Sequence, residues 1–243
     1  MWAMARTALI VAHGQPTDPA PAEADLARLA RAVAALLPDW QIGSATLAAP
    51  QALERAVERL QAPLVFPFFM ADGWITRVAL PDRLARAGAG DAPILPAFGL
   101  MAEVAALAAT AVLAEIARQG WRADRAVAVL AAHGSGRSPA PAAAARAIAD
   151  AVRAAGVGTV RPGFIEEDPA IADVAAQAGA QALCLPLFVA RWGHVLTDLP
   201  AALSAAAFQG PCLDPIGTQP EVPGIIARAL ARASTAEPDS DRG

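Results

Sequence analysis

ALIVAHGQPTDP, residues 8–19, returns as VAVLAAHGSGRSP, residues 127–139, with His13 matched by His133 at an offset of 133 − 13 = 120. The likeness continues downstream. PLVFPFFMADGWITRVALPDRL, residues 63–84, returns as ALCLPLFVARWGHVLTDLPAAL, residues 182–203, where Pro67 and Pro186, and Pro81 and Pro200, are each 119 apart. PAFGLMAEV returns as DPIGTQPEV, with Gly217 and Gly99 separated by 217 − 99 = 118. Three anchors in the same order at nearly constant offset mark an internal repeat, which decides the fold before any single element is read. The chain divides into two homologous halves, about 1–118 and 123–234, joined near Gln119-Gly120.

Each half opens on a short apolar run bounded by Gly and Pro and continues into an alanine-rich amphipathic stretch, residues 21–37 and 140–155. That is strand, loop, helix. A short extended piece follows, then Ala49-Pro50 or Asp168-Pro169, where Asp168 suits an N-cap and proline the first helical position. LVFPFF and ALCLPLF carry almost no polar alternation, as buried strands of a parallel sheet do. Strands alternating with helices predict an α/β fold of two doubly wound halves related by a pseudo-two-fold, each with a four-stranded parallel sheet. In such sheets ligands sit beyond the carboxyl ends of the strands. His13 and His133 follow the first strand of their halves, and His194 follows the expected fourth strand of the second. Residues 235–243 are polar, contain Pro238, and are expected to be a disordered tail.

Composition narrows the function. The apolar fraction is 56%, yet no run of about 18 uncharged apolar residues occurs, so no membrane span is expected. A net charge of −4 gives no general attraction to nucleic acid or anionic lipid. The chain has no lysine, which excludes a P-loop lysine and a Schiff-base lysine. The five apolar residues after Thr7 are too few for a secretory core, and Cys184 and Cys212 read as reduced thiols, so a cytoplasmic location is expected. A chain of 243 residues buries roughly 70–75% of its unfolded surface and needs neither disulfide nor structural metal.

The repeat also permits an internal comparison. Where the second half has Glu166, Glu167, His194 and Asp198, the first has Leu47, Ala48, Ile75 and Ala79, and Ser135 faces Gln15. Only His13 survives. Two imidazoles and two acids suit a divalent cation or proton transfer, since neutral imidazole binds Fe, Co, Ni and Zn and carboxylate accepts protons. Glu166-Glu167-Asp168 reads alternatively as an acidic lead into a helix N-terminus. Asp198 is expected to cap the helix entering at Pro200. The segment 132–136 is not G-x-S-x-G, HExxH and CxxC are absent, and Gly134-Ser135-Gly136 lacks the third glycine of a dinucleotide fingerprint. Ser135-Gly136-Arg137-Ser138 reads either as an anion-cradling turn or as an ordinary one.

These motifs together resemble the class II tetrapyrrole chelatases, specifically the CbiX-like sirohydrochlorin cobaltochelatase/ferrochelatase group in its long, two-half form. AAHGSGRSP is similar to the family's strand-HGS-x-R, FIEEDPAI to its F-[LI]-E segment, and PLFVARWGHVLTDLP to PLFLxxGxHxxxDIP. DPIGTQPEV completes the match. Gly136, Trp192 and the loss of the second histidine from the first half depart from the pattern.

The resemblance implies a lyase that inserts Co²⁺ or Fe²⁺, as a substrate, into sirohydrochlorin for cobalamin or siroheme, with no organic cofactor. It places the metal on His133 and His194 and proton transfer on Glu166 or an imidazole, so metal affinity falls as the imidazoles protonate. The substrate is a polyanion of carboxylates, for which Ser135, Arg137, Arg191 and Arg161 are candidate contacts. A carrier that binds metal or tetrapyrrole without turnover is the alternative, and it would need no acid beside the histidines. A histidine-dependent phosphatase would need arginine before its first histidine, where Ala132 and Ala12 stand.

Overall fold

The computed structural model describes residues 6–235; of the tail expected at 235–243, Thr235 ends a helix instead and the rest lies outside the described residues. In chain order the first part runs β1 (Arg6–Ala12), α1 (Pro19–Leu36), β2 (Trp40–Thr46), α2 (Ala52–Leu60), β3 (Leu64–Pro67), a π-helical turn (Ile75–Ala79) leading into α3 (Leu80–Arg86), and α4 (Ala102–Arg118). The second runs β4 (Val127–Ala132), α5 (Ala140–Ala154), β5 (Thr159–Phe164), α6 (Ile171–Ala176), β6 (Ala182–Pro186), α7 (Gly193–Leu196), α8 (Asp198–Ala205) and α9 (Val222–Thr235). The two orders are the same through β6, as the repeat requires.

Two compact units result. Among the described residues, one comprises residues 6–68, 74–96 and 220–235, and the other residues 69–73 and 97–219. Their boundaries differ from those of the sequence halves because each half's last helix packs elsewhere: α9 lies on α1 and β3 in the first unit, and α4 on α5 and β6 in the second.

The first unit holds a parallel sheet of order β2-β1-β3, in which Ala8 pairs with both Ile42 and Leu64. Ala8 through Ala12 are fully buried, so the central strand has no polar face, as expected where helices cover both sides of a parallel sheet. The second unit repeats this as β5-β4-β6, with Val127 opposite Thr159 and Ala182.

Each sheet thus has three strands among the described residues, not four. The fourth is reduced to a single bridge, Val65 to Ile94 in the first unit and Cys184 to Cys212 in the second. Prolines at 93, 96, 211 and 215 flank these bridges, and a residue without an N–H cannot extend a ladder. His194 accordingly follows the third strand of its half, β6.

The lead into α6 also differs from expectation. Phe164 N–H donates to the Pro169 carbonyl at 2.9 Å and Phe164 bridges to Ala170, so the chain stays extended past Pro169. Ala170 is therefore the N-cap and Ile171 the first helical residue, leaving Asp168 outside the helix. In the first half Gln51, at φ 58°, precedes α2.

Candidate functional site

Ala132 ends β4, and His133 stands on the next residue, at the strand's carboxyl end. Its carbonyl accepts N–H donors from Ile165 at 3.1 Å and Glu166 at 2.9 Å, which ties the end of β5 beside the histidine. Gly134 then turns the chain at φ 73°. A Cβ there would lie 2.8 Å from the Glu167 side chain and 2.9 Å from Phe164, so position 134 requires glycine for both space and conformation.

His194 reaches the same point from β6. Residues 187–192 leave the strand end, and α7, a single turn starting at Gly193, carries the imidazole. The loop is held by the segment DPIGT: Gly217 N–H donates to the Phe188 carbonyl at 3.0 Å, and a Cβ on Gly217 would stand 2.2 Å from the Val189 carbonyl oxygen. The third repeated motif is thus a backbone clamp on the histidine loop.

The two rings meet edge to face. Nε2 of His133 lies 3.1 Å from Nε2 of His194, with ring centroids 4.5 Å apart and planes at 89°. The opposite ring nitrogens are both occupied by acceptors. His133 Nδ1 stands 3.0 Å from the Gly134 carbonyl oxygen, and His194 Nδ1 stands 2.6 Å from Asp198 Oδ2. Each acceptor calls for a proton on Nδ1, which leaves both Nε2 lone pairs facing the space between the rings.

Glu166 places Oε2 3.7 Å from His133 Nδ1, on the side of the ring away from His194. Its carboxylate is half-exposed and therefore in reach of bulk water. The imidazoles are 41% and 46% exposed, enough for an ion to enter and leave. Among the described residues no group of three or more His, Cys, Asp or Glu converges as a metal cage, so the histidines form a two-donor site.

The other candidates are placed as follows. The Ser135 hydroxyl accepts the Arg137 N–H at 3.2 Å, a contact within the turn, and the Arg137 side chain is exposed. Arg191 forms an ion pair with Asp214. Arg161 donates to the Gln177 carbonyl at 3.3 Å, at the end of α6 and outside the histidine site. His13 repeats the His133 turn, with Nδ1 3.0 Å from the Gly14 carbonyl oxygen, while Ile75 begins the π-helical turn where a second imidazole would stand.

Two residues acquire partners that the sequence reading did not assign. Asp198 opens α8 as its first residue, and its carboxylate binds His194 instead of serving as the cap, which falls to Thr197. The i,i+4 spacing of His194 and Asp198 carried that signal. Glu167 Oε1 accepts the Ser135 N–H at 3.0 Å and so fastens the histidine turn. No sequence signal marks that bond, because its donor is a backbone amide 32 residues away.

A family model described as CbiX matches residues 127–233. Among solved structures, a CbiX described as the terminal enzyme for biosynthesis of siroheme in denitrifying bacteria is 48% identical, covering 94% of this chain and 99% of its own, with a TM-score of 0.88. SirB from Bacillus subtilis with Fe³⁺ is 17% identical over 96% of both chains at a TM-score of 0.75. A multi-domain protein of Deinococcus radiodurans with structural similarity to chelatases is 20% identical, covering 94% of this chain and 55% of its own, at 0.69. The last two share the fold. No curated protein matches in sequence.

Proposed function

The chain belongs to the CbiX family, and from that premise we propose that it is a cytoplasmic sirohydrochlorin chelatase, inserting Co²⁺ or Fe²⁺ into the macrocycle on the way to cobalamin or siroheme. The observation that carries this reading is the 3.1 Å separation of the two Nε2 atoms, with each Nδ1 set on an oxygen acceptor. Half that separation is 1.55 Å. With metal–nitrogen bonds of about 2.05 Å, the angle subtended at a shared ion is about 98°, between octahedral and tetrahedral values. Two facing lone pairs at this distance repel unless a cation lies between them.

Two protein donors suit a metal that must be given away. The remaining coordination positions stay open to water and then to pyrrole nitrogens, and each bond passed to the macrocycle loosens one to imidazole. Insertion also releases two pyrrole N–H protons. Glu166, beside His133 and in contact with solvent, takes protons from the site and passes them to water. Asp198 and the Gly134 carbonyl keep the Nδ1 protons in place, so Nε2 remains the donor throughout.

The substrate's carboxylates are met by Arg137 and Arg191, with Ser135 in the turn between His133 and Arg137. Arg191 is neutralised by Asp214 in the free protein. A substrate carboxylate that displaces Asp214 exchanges one ion pair for another, which costs little and adds a bidentate contact.

The test is to mix apo protein with excess sirohydrochlorin and Co²⁺ or Fe²⁺ and follow the absorption spectrum. An enzyme yields many metallated products per protein molecule. A single equivalent followed by a stop would make the protein a carrier and contradict the proposal.

A further inference from the structure

Cys184 and Cys212 are the chain's two cysteines, and the fold makes them neighbours. They form the one bridge that remains of the fourth strand: Cys184 N–H donates to the Pro211 carbonyl at 2.8 Å, and Leu213 N–H donates to the Cys184 carbonyl at 2.8 Å. Directly paired strand residues project to the same side of the sheet. Adjacent strands lie about 4.7–4.9 Å apart, inside the window of about 4.4–6.8 Å between Cα atoms that a disulfide needs. The Cys212 thiol donates to the Leu213 carbonyl at 3.7 Å, within the same bridge. At the equivalent bridge the first half has Val65 and Ile94, so nothing in the repeat itself calls for sulfur here.

Their surroundings differ sharply. Cys184 is fully buried among Val129, Ala131, Ile171 and Leu199, whereas Cys212 is exposed. The neighbouring Cys184 thiol holds the Cys212 thiol below its ordinary range, against the partial desolvation of its sulfur and with help from the Arg191 guanidinium. The neighbouring Cys212 thiol and its own burial push the Cys184 thiol up. An accessible thiol inclined to ionise, beside a shielded partner, is the arrangement of a thiol that reacts first and one that resolves it.

We propose that Cys212 and Cys184 form a peroxide-modifiable pair that closes reversibly into an intrachain disulfide. The Cys212 thiolate attacks hydrogen peroxide, breaking the O–O bond to give a sulfenic acid and hydroxide, which takes up a proton as water. The Cys184 sulfur then attacks the sulfenic sulfur, its thiol proton leaves with the departing hydroxide as a second water, and the S–S bond forms. Two thiols lose two electrons and one peroxide gains them. The modified segment also carries Asp214, the partner of Arg191, so the crosslink fastens the strand that restrains a site arginine.

The experiment uses the whole reduced protein. It is treated with a few equivalents of hydrogen peroxide, alkylated under denaturing conditions, digested and analysed by mass spectrometry. The expected product is a Cys184–Cys212 linked peptide, two hydrogen masses below the sum of the reduced peptides and abolished by dithiothreitol. Cys184→Val, which copies Val65 of the first half, should give no disulfide and should label at Cys212 with dimedone. Cys212→Ser should give neither product, with folding of both variants checked by circular dichroism. Two free, alkylatable thiols after excess peroxide, or Cys212 driven to sulfinic acid or to intermolecular disulfides without the intrachain link, would overturn the proposal.

Discussion

His194 has a neighbour at each ring nitrogen: Asp198 Oδ2 stands 2.6 Å from Nδ1, and His133 Nε2 stands 3.1 Å from Nε2. The first contact determines what the second can do. A carboxylate accepts and cannot donate, so while Asp198 is ionised the neutral imidazole carries its proton on Nδ1 and offers Nε2 as a lone pair.

Asp198→Asn replaces that acceptor with an amide that can also present an N–H. The alternative tautomer, with the proton on Nε2, then closes one of the two metal positions. Metal affinity of the apo protein is expected to fall about 10–100-fold, the usual effect of removing a ligand's outer partner. Titration with Co²⁺ followed by its absorption bands measures this. Unchanged affinity in a folded variant would mean that Asp198 serves α8 alone.

Glu166→Gln separates proton handling from metal holding. Glu166 reaches the Nδ1 side of His133, not the space between the imidazoles, so metal binding should stay near that of the parent protein. The insertion rate should drop by about 10²-fold or more, within the range for loss of a general acid–base group. Paired measurement of Co²⁺ binding and insertion rate distinguishes the two effects. A variant with the parent's insertion rate would leave Glu166 no part in the chemistry.

Gly134→Ala should damage the site through the backbone. Alanine at φ 73° costs about 1–2 kcal/mol, and its methyl would press on Glu167 and Phe164. Denaturant unfolding should show at least that loss, together with weaker metal binding as His133 shifts. Glu167→Ala removes the carboxylate from the Ser135 N–H, and it should weaken metal binding with a smaller loss of stability.

Stability at low pH is expected to report on the first unit. Burial opposes the charge of Glu54, but hydrogen bonds from its own backbone amide and from Arg83, together with the guanidinium charge, outweigh it and hold the carboxyl below its ordinary range. Two of the Arg83 bonds to Glu54 measure 2.9 and 3.1 Å, and Arg83 also donates to the Leu47 carbonyl at 2.7 Å, tying α3 to α2 and the end of β2. A carboxyl with a lowered folded-state pKa contributes stability above its unfolded value and loses it as pH falls through the folded value. Glu54→Gln should therefore lower Tm at neutral pH, by the equivalent of about 0.5–1 kcal/mol for a partly exposed pair. The difference from the parent should vanish in strong acid. A gap that persists undiminished below about pH 3 would place the effect in packing instead.

The repeat made much of this arrangement legible before any coordinates. It located both histidine turns at strand ends and singled out the second half, because Leu47 and Ile75 are chemically inert where Glu166 and His194 are not. What it did not reveal depends on contacts between distant backbone atoms. The Ser135–Glu167 bond joins an amide to a side chain, and amides look alike in every sequence. Four strands per half were expected, with the last before His194; that strand is the third, and the segments at Ile94 and Cys212, hemmed by prolines, each make only one bridge. The placement of α4 and α9 on the sheets of the opposite halves is likewise invisible to local pattern, since a buried helix face fits either sheet equally well. Asp198 was legible in principle: its spacing from His194 is that of a helical neighbour, and the proline at 200 directed attention to capping.

The central claim is that the chemistry belongs to the His133–His194 pair alone. The most direct measurement is the steady-state rate of sirohydrochlorin metallation by purified His133→Ala, His194→Ala and His13→Ala, each checked for folding by circular dichroism. The account predicts that the first two fall to the spontaneous rate, because one imidazole cannot hold the ion. The third should keep metallating, because Ile75 and Leu47 leave His13 no partner to share a metal with. A folded His13→Ala protein as inactive as His194→Ala would contradict the account and bring the first half into the reaction.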